Sequence, residues 1–154
     1  MQYYPTIVTL HILFAGMWLI LLPIGMISKK ALGTTDSAER IILIKNYLKL
    51  GSVISHIGVG GIILTGVALV LMNSGYQFFQ FSANHWLVSK QIIILAILAL
   101  LVSSLIPAAK AIKSKIGSGE KFDSQLKKYF KIETTINVLV ILNFLFAVTH
   151  RYFG

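Results

Sequence analysis

The stretch TLHILFAGMWLILLPIGMIS, residues 9–28, is an almost uninterrupted apolar run that contains one ionisable side chain, His11. At about 1.5 Å per residue, a helix of this length crosses the roughly 30 Å hydrocarbon core of a bilayer. A histidine at membrane depth costs free energy unless it finds a partner, which makes it a candidate functional residue. His11, Ala15, Trp18 and Leu22 share one helical face, and the small Ala15 leaves room for a flat group beside the imidazole.

The composition of the whole chain agrees with a membrane protein. Of its 154 residues, 56% are hydrophobic and 12% are charged, where a soluble domain has about 25% charged residues. The chain has no cysteine, which excludes disulfides, iron–sulfur clusters and thiol catalysis. The first apolar run lacks a basic leader and an A-x-A cleavage site, so we expect a retained span and not a signal peptide.

Four apolar segments are each long enough to span a membrane: residues 6–28, 50–73, 86–109 and 132–150. They predict an all-α fold, an integral membrane four-helix bundle. We find no internal repeat and no separate soluble segment, so residues 1–154 are expected to form a single transmembrane domain.

The basic residues predict the orientation of this bundle. The first and third connections hold twelve of the fourteen lysines and arginines: Lys29, Lys30, Arg40, Lys45, Lys49, Lys110, Lys113, Lys115, Lys121, Lys127, Lys128 and Lys131. By the positive-inside rule both connections are cytoplasmic and both termini face outward, as in a multi-pass protein of the bacterial inner membrane. Orientation and contact with the lipid bilayer explain the net charge of +9, so no nucleic-acid partner is expected.

Cations in the predicted outer half lack a protein counter-charge there, because all five acidic residues lie in or near the cytoplasmic connections. Partly buried cations of this kind suggest an external anion. The propionates of a haem would fit, with an imidazole on the iron and a lysine or arginine on the carboxylates. The prediction is one haem b near the outer face. Its metal ligands are His11 and either His150 or His85, and Lys90 and Arg151 lie near its propionates.

Simpler interpretations remain open for each of these residues. Lys90 and Arg151 can snorkel to lipid phosphates, and His11 can be a structural histidine with a hydrogen bond. His56, in the inner half, can pair with Glu133 or with Ser52. The glycines of GVGGIILTG, residues 58–66, are expected to be close-packing positions between membrane helices.

Three short motifs resemble the HemJ-type protoporphyrinogen oxidases, small four-span haem-binding membrane proteins related to the CopD-like superfamily. The motifs are His11–x6–Trp18, Thr65–Gly66 and Trp86-Leu87-x-x-Lys90. The resemblance implies that His11 and Trp18 belong to a haem site, and that Lys90 is a catalytic residue.

Two classes of function follow from these patterns. The first is a haem-dependent membrane oxidoreductase that exchanges electrons with a quinone or oxidises a porphyrin-like or quinol substrate. The second is a cofactor-free accessory subunit of a larger respiratory or photosynthetic complex, in which the small residues Ser55, Gly58, Gly61 and Thr65 form a packing surface. A proton relay through His56 and Glu133 is a weaker third idea, and the sequence leaves a homo-oligomer open.

Overall fold

The structure, a computed structural model, describes residues 3–33 and 37–153. The side chains of residues 37–38, 83–84 and 150–153 are not among those described. In the described part every regular element is helical: α1 (Tyr4–Leu19), α2 (Leu21–Leu32), α3 (Ser37–Met72), α4 (Phe81–Leu100), a π-helical segment (Leu101–Leu105), α5 (Ile106–Ser118) and α6 (Asp123–Phe153). The predicted all-α class is confirmed.

Four of the resulting helical stretches are long and apolar enough to cross a membrane. They are Tyr4–Leu32, Glu39–Met72, His85–Ser118 and Asp123–Thr149. The chain is therefore a multi-pass membrane protein with four spans, as the hydropathy predicts. The helices are longer than the predicted spans because the charged connections continue them. The 36-residue α3 is about 54 Å long.

Proline explains both interruptions in the first and third stretches. Pro23 has no N–H for the carbonyl of Leu19, where α1 ends. Pro107 likewise has no N–H for the carbonyl of Ser103, and the helix widens there into the π-helical segment Leu101–Leu105. In neither case does the chain leave the helix axis for a loop.

The chain divides into two compact units, the first ending at Gln77 and the second beginning at Phe78. In the first unit α1 and α2 both pack against α3. Its core consists of Trp18, Leu32, Ile44, Tyr47, Leu48, Val59 and Val70. The prediction of one transmembrane domain stays a prediction.

In the second unit α6 packs against α4, the π-helical segment and α5. Its core consists of Val88, Ile97, Leu101, Ala108, Ile112, Leu126, Tyr129, Ile136 and Val140. A tight turn at residues 119–122 joins α5 to α6. Gly119 has φ +72°, a left-handed conformation that glycine adopts without strain. We call the end of this unit that lies away from the turn, residues 78–91 and 143–149, the distal end.

Candidate functional site

His11 lies in the third turn of α1 and is hydrogen-bonded to α3. Its Nδ1 is 2.8 Å from Oγ1 of Thr65, 54 residues away in the sequence. Thr65 is buried, with 7% of its surface exposed. The partly buried imidazole therefore joins the first two spans within the first unit.

The hydroxyl of Thr65 determines which nitrogen of His11 carries the proton. Oγ1 of Thr65 lies 2.5 Å from the carbonyl oxygen of Gly61 and donates its one hydrogen to that oxygen. The same hydroxyl can then only accept from His11, so Nδ1 is the protonated ring nitrogen. In the neutral imidazole the lone pair is consequently on Nε2, the nitrogen through which histidine commonly ligates metals.

Glycines on α3 allow the helices to approach closely at this point. A Cβ added at Gly66 would lie 3.4 Å from Cε1 of His11, and one at Gly58 would lie 3.5 Å from the carbonyl oxygen of Phe14. A Cβ at Gly61 would overlap the ring of Phe14. The prediction of close-packing positions between membrane helices is confirmed for Gly58, Gly61 and Gly66.

Phe14 joins His11 and Trp18, two residues of the predicted face of α1, where that helix meets α3. Trp18 is 4% exposed, with its Cβ 3.7 Å from a Cβ added at Gly58. Phe14 fills the space over Gly61. It was not predicted from the sequence, because positions i+3 and i+4 from His11 both lie near its helical face. The predicted role of Trp18 in binding a cofactor stays a prediction.

His56 is bonded within its own helix. Its Nδ1 donates to the carbonyl oxygen of Ser52 at 2.6 Å, and the Ser52 hydroxyl lies at 3.5 Å. The predicted pairing of His56 with Ser52 is confirmed.

Lys90 and His85 lie on α4 in the second unit. The ammonium of Lys90 is 5.9 Å from the centroid of the Trp86 ring, within reach of a cation–π interaction. No carboxylate among the described residues forms an ion pair with it. His85 is exposed, and its carbonyl oxygen accepts a hydrogen bond from the Ser89 hydroxyl at 2.9 Å.

Three amide side chains lie at the distal end: Gln80, Gln91 and Asn143. Oε1 of Gln91 accepts a hydrogen bond of 2.8 Å from the backbone N–H of Phe79, a residue with φ +55°. The segment before α4 therefore folds back along that helix. Nε2 of Gln91, Oε1 of Gln80 and Oδ1 of Asn143 are buried and have no partner among the described residues.

None of Gln80, Gln91 and Asn143 was among the candidate residues predicted from the sequence. Hydropathy identifies an amide in an apolar helix but not which of its atoms lacks a partner. The side chains of His150 and Arg151, the other predicted haem residues, lie outside the described residues.

The described residues contain no group of three or more histidine, cysteine or acidic side chains that could hold a metal ion by themselves. An open depression lined by Tyr4, Pro5, Met72, Asn73 and Ser74 lies in the first unit, at the N-terminal end of α1.

No family model, curated protein or solved structure matches the chain. The likeness to the HemJ-type oxidases therefore stays an expectation carried by three short motifs.

Proposed function

We propose that this membrane protein binds one haem b through Nε2 of His11 and works in electron transfer. The observation that carries the proposal is the chain of hydrogen bonds from His11 Nδ1 to Thr65 Oγ1 and on to the carbonyl oxygen of Gly61. Ligating histidines usually donate their other ring N–H to a polar partner, which sets the tautomer and the ring orientation. His11 already has this arrangement.

As a metal ligand, His11 suits a haem better than it suits a bare metal ion. A haem brings its own four nitrogen ligands, so one or two histidines from the protein complete the coordination. The cofactor would supply one-electron redox chemistry. The protein's part is to hold the imidazole, because Thr65 prevents the ring from turning and Gly66 gives it room against α3.

The remaining parts of the proposal rest on the sequence. His85 or His150 would give the second axial ligand, and Lys90 and Arg151 would attract the propionates. A quinone, or a porphyrin-like or quinol substrate, would be the redox partner. The bacterial inner membrane is the proposed location.

The haem content of the purified full chain tests this proposal. We expect about one haem per chain, measured as the pyridine haemochrome after expression with sufficient haem supply. His11→Ala should lose the haem, and Thr65→Val should weaken retention by about 10–100-fold, the usual effect of removing such a supporting hydrogen bond.

His56→Ala is the matched control, since it also removes a histidine whose Nδ1 is bonded within the first unit. Its haem content should equal that of the wild type. A folded but colourless wild-type chain, or equal haem in His11→Ala, would contradict the proposal.

The second candidate function is a cofactor-free accessory subunit. The close packing of α1 against α3 favours it. His11, Thr65 and the three glycines form a satisfied helix–helix contact that needs no ligand. Long apolar side chains such as Leu64 and Leu71 are more than 70% exposed on α3 and would meet lipid or partner subunits. A colourless chain that copurifies with a larger membrane complex would favour this candidate.

A further inference from the structure

The distal end of the second unit contains buried polar atoms that have no hydrogen-bond partner among the described residues. Gln91 Nε2 is a donor, and Gln80 Oε1 and Asn143 Oδ1 are acceptors, all three buried without a described partner. A buried polar atom without a hydrogen bond costs about 1–3 kcal/mol, and water is scarce at membrane depth. Three such atoms in one unit call for a ligand that bonds to them.

The helical register places both Gln91 and Asn143 near the distal end. Gln91 lies 27 residues before Ser118, where α5 ends, and Asn143 lies 20 residues after Asp123, where α6 begins. Because α4 and α6 pack against each other and run in opposite directions from the turn, the two residues differ in depth by about 10 Å.

The helical faces agree with this placement. Asn143 follows the buried Ile136 and Val140 at steps of four and three, so it lies on the core face of α6. Lys90 precedes the buried Ile97 and Leu101 at steps of seven and four, so it lies on the core face of α4. Gln91 follows the buried Val88 by three residues, which places it on the same side of α4. The Gln91 donor and the Asn143 acceptor thus border the interior of one unit.

We propose that the distal end of the second unit binds a membrane-soluble quinone and its quinol. A quinone carbonyl oxygen would accept from Gln91 Nε2 and from the ammonium of Lys90. A quinol hydroxyl would donate to Asn143 Oδ1 or Gln80 Oε1. The site offers both donors and acceptors, which suits a molecule that presents carbonyl oxygens in one redox state and hydroxyl groups in the other.

A carboxylate ligand fits these atoms less well. It would pair with Lys90, but it has only lone pairs to offer and would be repelled by the two unsatisfied amide oxygens. A quinone also has the apolar body that a site between apolar helices requires. The inference rests on the proposed function in that it places the redox partner named there, and it shares Lys90 with it, because an ammonium has three N–H donors and can serve both a propionate and a quinone oxygen. Occupation of the site does not require a haem.

Titration of the full chain in lipid nanodiscs with decylubiquinone, followed by tryptophan fluorescence, tests the site. Trp86 lies one helical turn from Lys90 and should report binding as saturable quenching. Gln91→Glu keeps an oxygen for the Phe79 N–H but removes the donor, so it should weaken binding about tenfold. Gln125→Glu is the matched control, because Gln125 Oε1 also accepts a hydrogen bond, from Ser124 at 2.8 Å, and it should bind as the wild type does.

Asn143→Leu gives a second test, which stays informative even if Gln91→Glu does not fold. It should weaken binding of the reduced form, decylubiquinol, by about tenfold, and the ligand-free variant should unfold at a higher temperature than the wild type. Quenching that does not saturate, equal affinity in all variants, or saturable binding of decanoate in place of the quinone would overturn the inference. The haem content of Gln91→Glu should stay at the wild-type level, so failure here and failure of the haem proposal are distinguishable.

Discussion

Polar side chains are hydrogen-bonded at the contact between α1 and α3, whereas several of them lack described partners at the distal end of the second unit. In the first, His11 bonds to Thr65, Thr65 bonds to Gly61, and glycines let the helices close around the pair. In the second, Gln91 holds the backbone of Phe79 with its oxygen while its nitrogen and the Asn143 oxygen lack described partners.

This difference separates polar groups that stabilise the fold from polar groups that the fold tolerates. Removing a satisfied hydrogen bond should cost stability, whereas removing an unsatisfied buried atom should cost none or increase stability. Buried polar residues that carry such a penalty are therefore the better candidates for binding a ligand. His11 is unusual in that its hydrogen bond both secures the helix contact and sets the tautomer that a ligand would need.

The largest expected effect comes from separating α1 and α3. In Gly61→Ala the new methyl group would overlap the Phe14 ring, and we expect the free energy of unfolding to fall by about 1–3 kcal/mol. Gly60→Ala is the neighbouring control, since an added Cβ there meets nothing within 4 Å. Thermal unfolding in detergent checks both; equal midpoints would mean that the α1–α3 contact is not close-packed.

Removing the hydroxyl of Thr65 tests the satisfied side of the comparison. Thr65→Val keeps the shape but loses the bonds to His11 and Gly61. It should cost about 0.6 kcal/mol, the average for hydrogen bonds between membrane helices, and at most about 1.7 kcal/mol. Thr65→Ser keeps the hydroxyl and should stay near the wild type. Thermal unfolding of both variants beside the wild type checks this. Equal midpoints for Thr65→Ser and Thr65→Val would contradict the assignment.

Removing the amide of Asn143 tests the unsatisfied side. Asn143→Leu should raise the free energy of unfolding of the ligand-free chain, by about 0.5–1 kcal/mol, because no described hydrogen bond is lost and apolar contact is gained. The sign is what matters, and the same thermal measurement gives it. A loss of stability like that of Thr65→Val would show that Asn143 is a satisfied structural residue.

The smallest effect should come from a polar contact outside the spans. The Ser118 hydroxyl, 3.1 Å away, and Lys115, 3.3 Å away, hold the pKa of the Glu120 carboxyl below its ordinary value. The stability this gives is present above the pKa of the unfolded chain and is lost as the pH falls through the folded pKa. Glu120→Gln should therefore lower the unfolding midpoint slightly at neutral pH, and the difference should vanish as the pH falls below the folded pKa. Glu39→Gln, at another exposed site, is the control.

The sequence was sufficient to predict the four spans, because long apolar runs and clustered lysines depend only on local composition. It also predicted close packing at the glycines of residues 58–66, which the structure shows at Gly58, Gly61 and Gly66 and not at Gly60, while the role of His11 in a haem site stays a prediction. It did not predict that Thr65 would be the partner of His11, since a helical face does not specify which residue of another helix it meets. The unpartnered atoms at the distal end were beyond sequence reasoning, because a missing hydrogen bond is a property of packing, as is the fold-back of Phe79 onto Gln91.

A reduced-minus-oxidised visible spectrum of the detergent-purified wild type beside His11→Ala and His56→Ala tests whether His11 is a haem ligand. We expect a Soret band and a sharp b-type α band in the wild type and in His56→Ala, and neither band in His11→Ala. A flat spectrum in all three proteins, or equal bands in all three, would contradict the assignment of His11 as a haem ligand.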